Sequence, residues 1–215
     1  MVEIRWIQMF LFVILLLQFT AVTGQFSSIA VRDEDEVTLS CGNVRDDQDQ
    51  CDSSSWLFTT TSNTIELIHL GKISESTKSK PDRLSVTENC SLVIKKVTVE
   101  DAGRYSCRQF DRSGRQQRPD TQVHLSVVTM TEYEDEDNVT LSCSVWTNGP
   151  CKHTVKWLYE GKNVDKDMET SQSPCLATVA FTTLHHLIYY KFFKCEVTDH
   201  HGGKPQQFTF SPQSS

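Results

Sequence analysis

One block of this chain occurs twice. Asp33-Glu34-Asp35-Glu36-Val37-Thr38-Leu39-Ser40-Cys41 nearly superimposes on Glu134-Asp135-Glu136-Asp137-Asn138-Val139-Thr140-Leu141-Ser142-Cys143. Each copy is followed, in the same order, by a second cysteine (Cys51, Cys151), a tryptophan (Trp56, Trp157), a third cysteine (Cys90, Cys175) and a fourth (Cys107, Cys195). Landmarks matched in this way mean that one structural design is built two times over.

The apolar pattern says what the design is made of. Val37, Leu39 and Cys41 alternate with polar residues, as do Leu92 and Ile94 with Val97 close behind, and Val123, Leu125 and Val127. A period of two is the signature of a strand with one face buried. Helical spacing is sustained nowhere, and turns rich in Asn, Asp, Gly and Ser recur at intervals of roughly ten residues. The expectation is an all-β fold of two tandem antiparallel sandwiches.

The amino terminus reads differently from the rest. Arg5 precedes an apolar run from Trp6 to Leu17, and the small residues Ala21-Val22-Thr23-Gly24 follow. This is the pattern of a secretory signal peptide over residues 1–24, cleaved after Gly24. The run contains Gln8, is closed by Gln18, and is shorter than the roughly 20 apolar residues that span a bilayer. No later segment is apolar enough to cross a membrane, and residues 213–215 form a polar tail. Secretion places the eight cysteines in an oxidising compartment, where they read as four disulfides, although the count alone allows roughly a hundred connectivities. The net charge of -7 argues against a nucleic-acid partner, which would require clustered cations.

Cys41, Trp56 and the run Asp101-Ala102-Gly103-Arg104-Tyr105-Ser106-Cys107 together resemble the Asp-x-Gly-x-Tyr-x-Cys signature of variable-type immunoglobulin domains. The resemblance covers residues 25–127. It implies that Cys41 and Cys107 bridge the two sheets, that Trp56 packs on that bridge, and that the Tyr105 hydroxyl bonds back to the main chain. It also implies a structural ion pair between Arg83 and Asp101. The second unit, residues 128–212, keeps Cys143, Cys195 and Trp157, and its Phe193-Lys194-Cys195-Glu196-Val197 resembles the constant-type Tyr-x-Cys-x-Val pattern with Phe193 in place of tyrosine. A constant-like domain without a tyrosine corner follows. Val127 and Val128 run directly from one unit into the next, which implies limited bending.

Within such a fold Cys51 lies at the end of the B–C loop and Cys90 just after the D–E loop, at one pole, so a Cys51–Cys90 bridge is geometrically sensible. Cys151 and Cys175 repeat the arrangement. These bridges add stability first, and they also stiffen the pole that variable domains use for recognition. No Cys-x-x-Cys pair of zinc spacing is present.

The candidate ligand site is the F–G loop. Arg108, Arg112, Arg115 and Arg118 cluster there in an otherwise acidic chain. A guanidinium suits bidentate contact with carboxylate or sulfate, so the expected partner is an acidic protein patch or an acidic glycan; the alternative is a solvated loop balanced by Asp111 and Asp120. Asn89 and Asn138 head N-glycosylation sequons. The acidic runs Asp33 to Glu36 and Glu132 to Asp137 read as solvated turns rather than calcium sites, and His185-His186 and His200-His201 as surface residues, so neither metal nor cofactor is expected.

The resemblance extends to paired or polymeric-immunoglobulin-receptor-like ectodomains. The extra bridge here links the B–C and D–E loops instead of strands C and C′, so the ligands of those receptors do not transfer. The leading function is an extracellular recognition protein, an immune-type receptor ectodomain or its soluble form; the alternative is a homophilic adhesion module. An enzyme is not expected, since no Gly-x-Ser-x-Gly nucleophile turn exists. Thr121 to Val127 lacks the Phe-Gly-x-Gly bulge of rearranging antigen receptors.

Overall fold

A computed structural model describes residues 25–42, 51–77, 81–135, 138–164, 168–182, 190–200 and 204–211. The signal-peptide segment, the Glu136-Asp137 pair, His185-His186, His201 and the polar tail lie outside the described residues. The fold is all-β, with short 3-10 turns between strands.

The first unit contains β1 (Phe26–Arg32), β2 (Val37–Leu39), β3 (Ser54–Thr59), β4 (Thr64–His69), β5 (Lys72–Ile73), β6 (Leu84–Val86), β7 (Leu92–Ile94), β8 (Gly103–Gln109) and the start of β9 (Thr121–Asp135). One sheet runs β9-β8-β3-β4-β5, with β1 added in parallel along β9; the facing sheet is β2-β7-β6. The alternating residues read from the sequence turn inward here. Val37, Leu39, Leu92, Ile94, Val123, Leu125 and Val127 all lie in one core with Trp56, Tyr105 and the Cys41–Cys107 bridge.

The second unit contains β10 (Asn138–Trp146), β11 (His153–Tyr159), β12 (Lys162–Asn163), β13 (Glu169–Ser173), β14 (Leu176–Thr182), β15 (Phe193–Asp199) and β16 (Gln206–Thr209). Its sheets are β13-β14-β10-β9 and β12-β11-β15-β16. Trp157 sits opposite Cys195 in register, and both belong to a second core with Val139, Leu141, Val155 and Val179.

Strand β9 is the spine. Its 15 residues leave one core and enter the other without a break. Val127 belongs to the first core and its neighbour Val128 to the second, both fully buried. Successive side chains of a strand point to opposite faces, so the two sandwiches pack against opposite sides of one continuous strand. β1 repeats the split, with Val31 in the first core and Ala30 in the second.

Side chains then clasp the junction. The Gln206 amide accepts from the Ala30 N–H at 3.0 Å and donates to the Ala30 carbonyl at 3.3 Å, as a neighbouring strand would. Arg32 donates to the Thr209 carbonyl at 3.2 Å and to the Ser211 hydroxyl at 2.5 Å. On the opposite side the Thr61 N–H donates to Asn148 Oδ1 at 2.6 Å.

Candidate functional site

The framework of both sandwiches is covalent. Cys51 and Cys90 are joined, with Cα atoms 5.4 Å apart, and Cys151 and Cys175 are joined at 5.9 Å. Cys41–Cys107 and Cys143–Cys195 cross between the sheets of their sandwiches. No cysteine is free. Cys51, Cys90 and Cys175 have φ values of 59°, 60° and 59°. That left-handed region is costly for any residue bearing a Cβ, and the bridges hold the turns in it.

Each tryptophan also ties its indole to the opposite sheet. Trp56 Nε1 donates to the Cys90 carbonyl at 2.9 Å, and Trp157 Nε1 to the Ala177 carbonyl at 3.0 Å. In the first sandwich this links the core tryptophan directly to the second disulfide. At the opposite pole the Tyr105 hydroxyl donates to the Asp101 carbonyl at 2.8 Å. Arg83 makes a close ion pair with Asp101 and donates to the carbonyls of Lys95 and Lys96 at 3.0 and 2.9 Å. Phe193 stands where the second sandwich would carry the equivalent hydroxyl. Its ring stacks on Phe181 at 5.2 Å and meets Trp157 edge-on at 6.2 Å.

The arginine loop is an ordered hairpin. Phe110 and Gln116 bridge across it, and the Asp111 N–H donates to the Arg115 carbonyl at 2.9 Å. Asp111 Oδ1 accepts from the Ser113 N–H, the Ser113 hydroxyl and the Arg115 N–H at 2.8, 2.6 and 2.9 Å, while Oδ2 accepts from Gln117 Nε2 at 2.8 Å. Gly114 supplies the left-handed residue, φ 78°, that closes the turn. The Ser113 hydroxyl, then the Arg115 N–H, hold the Asp111 carboxyl below the usual aspartate range. Stabilisation of the charged form adds to loop order above that range and is lost as pH falls through the lowered value.

The four arginines divide into two roles. Arg108 belongs to the base: its Nε and Nη2 meet the two Asp120 oxygens at 3.1 and 3.0 Å, a bidentate clasp that raises its own pKa. It is therefore a positioning residue, and the candidate ligand set contracts to Arg112, Arg115 and Arg118, all exposed around the turn. Asp111, Ser113 and Gln117 order the turn that carries them, and charge patterning alone does not mark these three as organisers. The Asp-x-Ser-Gly spacing was the available signal, because such residues bond their own backbone in turns.

The remaining sites fall elsewhere. Asn89 is exposed on the turn before β7, where its side-chain oxygen accepts a close hydrogen bond from the Thr87 hydroxyl. Asn138 is exposed at the start of β10. Asp33 to Glu36 form the β1–β2 turn, fixed by main-chain bonds from the Asp33 N–H to Val128 and from the Glu34 N–H to Val97. His200 Nε2 lies 2.8 Å from the Thr154 hydroxyl.

Compared with known families, residues 26–128 match the model described as the immunoglobulin V-set domain. No curated protein matches the chain.

Proposed function

We propose, from the premise that residues 26–128 are an immunoglobulin V-set domain, that this recognition protein is the ectodomain of an immune-type receptor or its soluble form. In this reading it works outside the cell, with a variable-type tip for contact and a constant-like second sandwich as its base. Four disulfides suit an oxidising compartment.

The observation that carries the reading is the braced cationic hairpin. Arg112, Arg115 and Arg118 stand exposed on a turn ordered by Asp111, in a chain whose net charge is -7. A loop already ordered loses less conformational entropy on binding, so more of each contact appears as affinity. Guanidinium forks at such a tip select carboxylate or sulfate groups presented by a protein or a glycan.

Immobilised heparin and an acidic polypeptide, offered to the full secreted chain, test the idea. Replacing Arg112, Arg115 and Arg118 together by alanine should weaken capture at least tenfold, about 1.4 kcal/mol or more, and flatten its salt dependence. Capture that is unaltered by the triple replacement overturns the assignment of the ligand to this hairpin.

A further inference from the structure

The outer face of the sheet β13-β14-β10-β9 is unusual for so charged a chain. The register places Tyr133 opposite Thr140, Thr131 opposite Ser142, and Thr178 opposite Ser142 from the other side. Along β10 this face alternates with the buried Val139, Leu141, Cys143 and Val145. Among the described residues it holds acidic groups only at its margins, Asp135 and Glu169, and no lysine or arginine. It nevertheless exposes aromatic surface, since Tyr133 is 67% accessible. Uncharged sheet faces with open aromatic rings tend to associate unless something covers them.

The cover is encoded on the same face. Asn138 shares its side of β10 with Thr140, because residues two apart in a strand point the same way. Tyr133, directly opposite Thr140, is thus the diagonal cross-strand neighbour of Asn138, at a spacing of about 7–8 Å. Asn138-Val139-Thr140 is an N-glycosylation sequon, exposed at the asparagine. We infer that Asn138 carries an N-linked glycan whose first sugars lie on the Tyr133 ring and cover the Ser/Thr face beside it. Pyranose C–H groups present a weakly polar surface that suits the negative face of an aromatic ring, while the hydroxyls of the sugar find hydroxyl partners on the Ser/Thr positions.

The transfer itself is ordinary. The Asn138 side-chain nitrogen bonds to the anomeric carbon of the first N-acetylglucosamine of a lipid-pyrophosphate-linked oligosaccharide, and that nitrogen gives up one proton. The anomeric C–O bond breaks and the lipid pyrophosphate leaves with the electron pair. Asn138 pairs with Asp135 at the last residue of β9, whereas the arginine hairpin precedes the first residue of that strand, so this glycan lies at the far end of β9 from the hairpin.

The full chain secreted from a eukaryotic cell line provides the test, by intact mass and peptide mapping before and after enzymatic deglycosylation. The expected result is glycan mass at Asn138, absent in Asn138→Gln, with removal of the glycan lowering the thermal midpoint of the wild type by a few degrees. Trimming to a single N-acetylglucosamine should retain most of that gain. Tyr133→Ser, at an exposed position that folding does not require, should abolish the difference between glycosylated and deglycosylated protein. An unoccupied Asn138 in the secreted chain overturns the inference. So does a glycan whose removal shifts the wild type and Tyr133→Ser equally, since the ring would then play no part. Either result leaves the arginine hairpin assignment standing.

Discussion

A glycine and a tyrosine two positions apart show how closely single residues are constrained. A Cβ on Gly103 would lie 2.5 Å from the Phe58 ring, closer than real Cβ atoms come, and a tight 3.1 Å from the Thr59 carbonyl. Gly103→Ala should therefore destabilise by about 1–3 kcal/mol, the usual cost of overpacking, measured as a lower urea midpoint at unchanged m-value. For Tyr105 the constraint is polar. Burial pushes its hydroxyl well above the ordinary value of 10.0, and the Asp101 charge adds to the rise. The folded chain thus retains a proton that the unfolded chain releases near pH 10. Its contribution to stability is complete below that pH and is lost as pH climbs toward the folded value. Tyr105→Phe should cost about 1 kcal/mol at neutral pH through the missing bond to Asp101. It should also flatten the decline of stability above about pH 10, read by denaturation across an alkaline series.

At the scale of elements, much of the sandwich was legible because burial and period two coincide. The residues read as inward-facing on β2, β7 and β9 are those found in the core. Partnerships made by side chains were less legible, because they depend on which loops fold over one another. Arg108 looked like its three neighbours in sequence, yet the bidentate geometry of Asp120 at the foot of the hairpin separates it from them. The indole bonds to Cys90 and Ala177 were equally invisible, since their partners lie 34 and 20 residues away. The Cys51–Cys90 link closes 39 residues of separation, for which the chain-entropy argument gives about 4 kcal/mol. Cys51→Ala with Cys90→Ala should lower stability by about 3–4 kcal/mol. The double variant should also increase amide exchange around the Trp56 indole contact, and a smaller loss than 1 kcal/mol would show that the bridge only decorates a pole already held by packing.

For the whole molecule the decisive arrangement is the junction. The sequence showed that no linker separates Val127 from Val128, but not that the cores take opposite sides of the strand. That depends on which neighbours pair with it, β8 and β1 before the crossing and β10 along and after it. Gln206 and Arg32 add side-chain hydrogen bonds between β1 and the β16 end of the second sandwich. Replacing both by alanine should leave each sandwich intact in near-ultraviolet circular dichroism while broadening the distance distribution from small-angle X-ray scattering. An unchanged distribution would assign the rigidity to the β1–β9 pairing and the Thr61–Asn148 bond rather than to the Gln206 and Arg32 clasp.

The shared strand also imposes a counting rule on any descendant of this chain. One residue inserted between Val127 and Val128 would turn every later side chain of β9 to the wrong surface, sending Val128 and Met130 to solvent and Thr129 inward. Two inserted residues would restore the alternation and merely lengthen the step. Separation between the sandwiches can therefore change in pairs of residues, and a deletion or insertion of one must be answered by a bulge nearby.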